Sequence, residues 1–204
     1  MTAGTRRDGE ALRTPRQCIE PEPSLRWKQH GHYSVTLGYP VTLGLRIRAL
    51  VGTAVNPPAV PGFILSQFAP SVLDAANRAL RDAALTEAER TLTGILLLTP
   101  CGDSETRDIV KQILDEHRRL SPLLLVQSTP TSIAGKIAAD WGLTGPITTL
   151  ATEQKLDGPV VAAIAVELLS DDDLTALLVI RQTPPTADTP ALAAASVLSR
   201  KERT

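Results

Sequence analysis

The chain has 204 residues, 43% of them hydrophobic but only 3% aromatic, and a net charge of −1. It is long enough for one domain with an aliphatic core, and a pI near 6.3 argues against the basic face of a nucleic-acid binder. No apolar run approaches the roughly 18 residues of a membrane-spanning helix, and the charged, proline-bearing N-terminus has no signal core, so a cytoplasmic protein is expected.

Residues 1–32 mix Arg, Glu, Pro and Gly without apolar periodicity and read as a flexible N-terminal arm. His30 and His32 flank Gly31 with no further ligand nearby, so they read as exposed loop histidines and not as a metal site. Tyr33 to Leu37 alternates apolar and polar residues, which predicts an extended strand. Leu45 to Val51 is the first firm strand, with Arg46 and Arg48 on one face turned to solvent or a carboxylate. Asn56-Pro57-Pro58 through Pro61-Gly62 is a loop, followed by an apolar cluster of Phe63, Ile64, Leu65 and Phe68. Ser71 is the expected N-cap of a helix over 72–84, whose stripe is Val72, Leu73, Ala76, Leu80 and Ala83. Gly94 to Thr99 reads as a buried strand and Pro100 to Asp103 as its turn. Asp103 or Ser104 caps the next helix, which runs to about Arg119 on Ile109, Val110, Ile113, Leu114 and His117. His117, in the last turn, suits the helix dipole better than a role as a base. Cys18 and Cys101 lie far apart and have no metal spacing. Cys101 follows a strand, but no histidine has a place beside it, so it reads as structural.

The stretch Ser121 to Gln154 carries most information. Leu123 to Val126 is a continuous apolar run and reads as a buried strand. A helix over 131–141 follows, with Ile133, Ile137 and Trp141 every four positions. Gly135 lies mid-helix, where it costs roughly 1 kcal/mol against alanine, and would let another backbone come close. Gly142 ends that helix, Gly145-Pro146 turns the chain, and Ile147 to Ala151 is a short strand leading to Thr152-Glu153-Gln154.

Ser121-Pro122, Gln127-Ser128, Ala134-Gly135, Ile137-Ala138-Ala139, Trp141-Gly142-Leu143 and Thr144-Gly145-Pro146 resemble the N-terminal half of the β-ketoacyl synthases, in the thiolase-like superfamily. In that family a Gly-Pro turn leads into a strand that ends at the nucleophilic cysteine, which opens a buried helix. Counting on from Gly145-Pro146, the matching position is Gln154. Condensation needs a thiolate to take up the acyl group, and a glutamine amide has no ionisable proton. Glutamine at this position resembles the chain-length factors of type II polyketide synthases and the decarboxylating loading domains of modular ones. The family's catalytic histidines belong to its C-terminal half, and His30, His32 and His117 match neither. Lys155 and Leu156 are bulkier than the small residues the family places after its nucleophile.

Beyond Gln154, Val160 to Leu169 reads as a central helix, apolar nearly all round except at Glu167. Asp171-Asp172-Asp173 reads as a helix-ending loop and not a cation site, and Leu174 to Ile180 as the last buried strand. From Pro184-Pro185 onward a flexible tail is expected, with a weak helix over 191–198.

Strands alternating with helices imply right-handed βαβ units. The expected fold is α/β, a thiolase-like half built as a three-layer α/β/α sandwich around a mostly parallel sheet of about five strands. The expected organisation is an arm over 1–32, a ketosynthase N-terminal-like domain over 33–181 and a tail over 182–204. The resemblance implies an accessory subunit of polyketide or fatty-acid assembly, without a nucleophilic cysteine and not an enzyme on its own. Its implied partner is an active ketosynthase or a second copy of itself, with an acyl carrier protein as a further contact, and no cofactor, metal, nucleic acid or membrane is expected. The alternatives are a malonyl-thioester decarboxylase active only with a partner, and a degenerate structural remnant.

Overall fold

A computed structural model of the protein describes residues 45–53, 56–151, 158–170, 173–184 and 191–200. The expectations for residues 1–32, Tyr33 to Leu37, Asp171 and Asp172 lie outside the described residues. The elements in chain order are β1 (Leu45–Gly52), α1 (Phe68–Ala83), α2 (Glu87–Thr91), β2 (Thr93–Thr99), α3 (Ser104–Asp115), α4 (Pro122–Gln127), α5 (Pro130–Trp141), β3 (Ile147–Ala151), α6 (Gly158–Leu168), β4 (Ala176–Thr183) and β5 (Leu192–Arg200).

The five strands form one sheet in the order β1-β5-β4-β2-β3. β2 pairs parallel with β3 and β4, while β5 runs antiparallel to β4 and β1. Four strands therefore run one way and β5 alone runs against them, which keeps the sheet mostly parallel. The side-chain alternation of β2 and β4 separates two cores. Ile95, Leu97, Leu178 and Ile180 meet α1 and α5 on one face. Leu96, Leu98, Leu177 and Val179 meet α6 on the other. Ile95 to Leu98 are all buried, so β2 lies inside a three-layer sandwich. Each such side chain contributes about 1.5–3 kcal/mol by leaving water.

Several expectations change. Leu123 to Val126 is not a strand: Pro122 sits in the first turn of α4, with Ser121 at the N-cap position. Polar side chains close the far end of α4, Ser128 Oγ donating to Leu125 O at 2.8 Å and Thr129 Oγ1 to Val126 O at 2.7 Å. α1 starts before the expected cap. Gln67 holds the N-cap position, and Ser71 lies inside the first turns with its Oγ donating to Phe68 O at 2.9 Å. Of the cluster at 63–68, Phe68 is buried and Phe63 packs on the core, but Ile64 is exposed.

Residues 192–200, expected within a tail and a weak helix, form β5 between β4 and β1. Alanine is a poor strand former, but here it is a spacer. Ala193, Ala195 and Val197 lie under Ala75, Ala76 and Ala79 of α1 in one core, and small residues on both sides let helix and strand approach closely.

β1 is also altered. Its register shifts between Ile47 and Ala49, leaving Arg48 as a bulge residue. Leu45 therefore packs on the α6 side and Ala49 on the α1 side, so Arg46 and Arg48 do not follow one simple alternation. Arg48 does meet a carboxylate: it pairs with Glu89, and its Nη2 donates to Ala83 O at 3.1 Å. Glu89 belongs to α2, a short helix the sequence reading did not anticipate, opened by a reciprocal capping box with Thr86.

α3 begins at the expected cap, Asp103, but its stripe is thinner than expected. Val110 is buried while Leu114 and His117 are exposed. His117 lies just beyond the helix C-cap with φ +55°, a left-handed position that ends helices. Its Nδ1 lies 3.0 Å from Asp115 O. α6 is buried on one side only, by Val161, Ala162 and Ala165, and its Val160 is 44% exposed. It is not a helix buried all round. Gly135 has open space where a side chain would project, so no backbone among the described residues approaches it there.

Candidate functional site

The carboxyl ends of β2, β3 and β4 lie side by side. Thr99 of β2 is opposite Ala151, the last residue of β3, and Leu98 is opposite Arg181 of β4. In open α/β sheets this edge, outside the carboxyl ends of parallel strands, is where ligands bind.

A buried hydroxyl ties two of these strand ends together. Thr99 Oγ1 donates to Gln182 Oε1 at 2.8 Å and accepts from Gly102 N at 3.0 Å. Both side chains are buried, so this bond fixes β2 against β4 and holds the start of the turn after β2. One step along, the buried Asp103 carboxylate accepts from Thr106 N at 3.0 Å and Thr106 Oγ1 at 2.8 Å. It also accepts from Ser66 Oγ at 2.7 Å. Asp103 thus caps α3 and anchors the loop that enters α1. These groups satisfy one another, so they brace the strand ends and do not form a set of free acids and bases.

Gln154 lies outside the described residues. The described chain brackets it, with β3 ending at Ala151 and α6 beginning at Gly158. Cys101 is disulfide-bonded, so its sulfur is not a thiolate nucleophile. His117 lies on an exposed helix end, and the structure does not bring it to the strand ends as a base. His30 and His32 are outside the described residues. Among the described residues, no group of three His, Cys, Asp or Glu side chains could hold a metal ion. No helix among them is long and apolar enough to cross a membrane.

The sequence reading singled out neither the Thr99–Gln182 pair nor Ser66. Thr99 had a local signal as the polar residue closing an aliphatic strand, but Gln182 lies 83 positions away, and only the β2–β4 pairing joins them.

Among the described residues the carboxyls of Glu116, at the end of α3, and of Glu89 are shifted, and Glu89 is the more enclosed by its neighbours. The Thr86 backbone N–H holds it below the usual range, with Arg48 adding to the effect and burial opposing it. It braces α2 and β1, apart from the strand ends. A cleft of ≈ 270 Å³ lies between the 58–61 loop and the outer sides of α1 and α5. Lys136 and Asp140, on its wall, pair at 2.9 Å.

Residues 64–154 match the model of the family described as beta-ketoacyl synthase, N-terminal domain. No curated protein matches the sequence. Among solved structures, the chain is similar to one from the complex of the ketosynthase ApeO with its chain length factor ApeC from Xenorhabdus doucetiae. There the TM-score is 0.60 at 14% identity, over 77% of this chain and 79% of that one. It is also similar to one from the ishigamide ketosynthase/chain length factor, with TM-score 0.55 and 19% identity over 69% of this chain and 45% of that one. A third is from AntDE:AntF, a type II polyketide synthase acyl-carrier protein in complex with its ketosynthase bound to the hexaketide. Its TM-score is 0.55 at 17% identity, over 67% of this chain and 47% of that one. The match thus spans less than half the length of the latter two chains. At these identities the likeness speaks to fold, while the segment match speaks to sequence. Residues 64–154, less than half of the chain, are thus similar to a β-ketoacyl synthase N-terminal domain, and the likeness to the solved structures is one of fold.

Proposed function

We propose that this chain is a non-condensing, ketosynthase-like subunit that pairs with an active ketosynthase and assists polyketide or fatty-acid chain assembly. The observation that carries this reading is Gln154, which stands between β3 and α6 at the position matching the family's nucleophile. An amide there cannot form the acyl thioester, so the chain contributes surface and tunnel wall, and the partner contributes the thiolate. Two structural features support a partner. β3, the strand leading to this position, is an edge strand among the described residues, and the outer side of α6 exposes Pro159, Val160 and Ala163 beside Glu167. A cytoplasmic location and contact with an acyl carrier protein belong to the same reading.

Native mass spectrometry tests it, using this chain alone and mixed with an active, cysteine-bearing ketosynthase of a type II polyketide synthase. A one-to-one complex is expected. Within that complex, Gln154→Ala should leave assembly intact and alter product length or yield. A chain that ignores the ketosynthase overturns the proposal.

A further inference from the structure

The cleft between the 58–61 loop and the outer sides of α1 and α5 has a lining of mixed character. Pro70, Leu73, Asp74, Asn77 and Arg81 line it from α1, at a three-and-four spacing that sets all five on one stripe of the helix. Lys136 and Asp140 line it from α5, and Pro58, Val60 and Pro61 from the loop. Proline and aliphatic surface thus meets four charged groups.

Those charges do not count equally. Lys136 Nζ donates to both carboxylate oxygens of Asp140, at 3.0 and 2.9 Å. Asp74 accepts from Thr53 Oγ1 at 3.2 Å and lies 3.8 Å from Arg78. Arg81 is different. Its Nε donates to Asn77 O at 3.0 Å, which holds the guanidinium back along the stripe. Its Nη1 and Nη2 have no partner among the described residues. Asn77 adds a second donor. An indole N–H only donates, so the 2.7 Å bond from Trp141 Nε1 fixes Asn77 Oδ1 toward the ring. Asn77 Nδ2 is left with no partner among the described residues.

The uncommitted groups on α1 are therefore donors, the Arg81 fork and the Asn77 amide, one turn apart. A guanidinium fork matches a carboxylate bidentately. Asp74 and Asp140 in the same lining disfavour a second negative charge, so a singly charged head fits better than a phosphate dianion. The volume of ≈ 270 Å³ falls below the roughly 300–1,000 Å³ of drug-sized ligand sites, which limits the rest of the ligand to a short body.

We propose that this cleft binds a small organic monocarboxylate, its head on Arg81 and Asn77 and its short apolar body against Pro58, Pro61 and Leu73. The binding is independent of any pairing with a ketosynthase, because no described residue that lines the cleft belongs to β3 or α6.

The test titrates the isotope-labelled full-length chain with hexanoate at neutral pH and follows it by nuclear magnetic resonance. Hexanoate should cause saturable shifts of the Trp141 indole N–H and of the Val60, Leu73 and Asn77 amides. Hexanamide has the same body without the charge, and acetate has the charge without the body; each should bind about tenfold more weakly or worse. Arg81→Gln removes the fork at an exposed position and should weaken hexanoate by about ten- to a hundredfold. Asn77→Asp keeps the oxygen that Trp141 bonds and replaces the donor by an acceptor. It should weaken hexanoate by about tenfold or more, with the Trp141 indole resonance still hydrogen-bonded. Hexanoate that leaves these four resonances unmoved overturns the site. So does equal affinity of wild type and Arg81→Gln, or of hexanoate and hexanamide, since the cleft would then read an apolar body alone.

Discussion

Replacing Gly145 by alanine tests how β3 is seated. The turn before β3 is pressed onto the start of β2: Gly145 N donates to Thr93 O at 3.2 Å, and Ile95 N donates to Pro146 O at 2.9 Å. A Cβ on Gly145 would lie 2.6 Å from Thr93 O, 2.7 Å from Thr93 C and 2.8 Å from Gly94 N. All three are backbone atoms of a central strand and cannot rotate aside. Overpacking of this kind costs about 1–3 kcal/mol, and loss of the Gly145–Thr93 hydrogen bond adds about 0.5–1.5 kcal/mol. The expected destabilisation is about 2–4 kcal/mol. For a domain of this size it lowers Tm by about 5–15 °C. Thermal and urea unfolding followed by circular dichroism would measure it. A variant that melts within about 2 °C of wild type would refute the claim that this contact holds the turn.

Gly135→Ala should act in the opposite direction. Nothing lies within 4 Å of its missing side chain, so the substitution should stabilise α5 by about 0.5–1 kcal/mol, read as a small rise in Tm. Thr99→Val removes the donor to Gln182 Oε1 and the acceptor for Gly102 N. About 1–3 kcal/mol should be lost in urea unfolding, with Thr99→Ser recovering most of it. Glu89→Gln should make stability less dependent on pH on the acid side. The folded carboxyl is lowered below 4.5, so its contribution is complete above that value and is lost as pH falls through the folded one. The gap between wild type and variant should be up to about 1 kcal/mol at neutral pH and close on acidification.

How far the fold is legible depends on what each element rests upon. β2 announces itself because a strand buried on both faces must be aliphatic at every position, as Ile95 to Leu98 are. The same logic misleads at Leu123 to Val126, where an equally apolar run is a surface helix. Composition records that the run is apolar, but not which element it forms, and Pro122 with Ser121 was the local sign of a helix start. β5 is hidden for the converse reason, since its alanines answer to the closeness of α1 and not to strand propensity. The bulge at Arg48 could not be read from β1 alone, because it exists only against the register of β5. At the candidate site, the strand after the Gly145-Pro146 turn was legible as β3, while Gln154 lies outside the described residues. The bond between Thr99 and Gln182 joins parts of the chain that no local pattern relates.

The two edges of the sheet differ in a way that bears on the partner. β1 is guarded: it carries Arg46 and Arg48 and a bulge in its pairing with β5, all devices that keep edge strands from pairing. β3, the opposite edge, reads Ile147-Thr148-Thr149-Leu150-Ala151, with no charge, proline or register shift in its pairing with β2. An edge of this kind, unpaired among the described residues, is a template for another strand. β3 leads directly to the Gln154 segment, so a partner pairing there would lie beside the candidate site. Ile147→Lys places a charge on this edge at a residue already 37% exposed, so it should shift the Tm of the isolated chain by no more than a few degrees. It should weaken a complex with a ketosynthase at least tenfold, measured as the shift in Kd by titration calorimetry. Equal affinity for wild type and variant would remove β3 from the interface and leave the exposed side of α6 as the surface to test next.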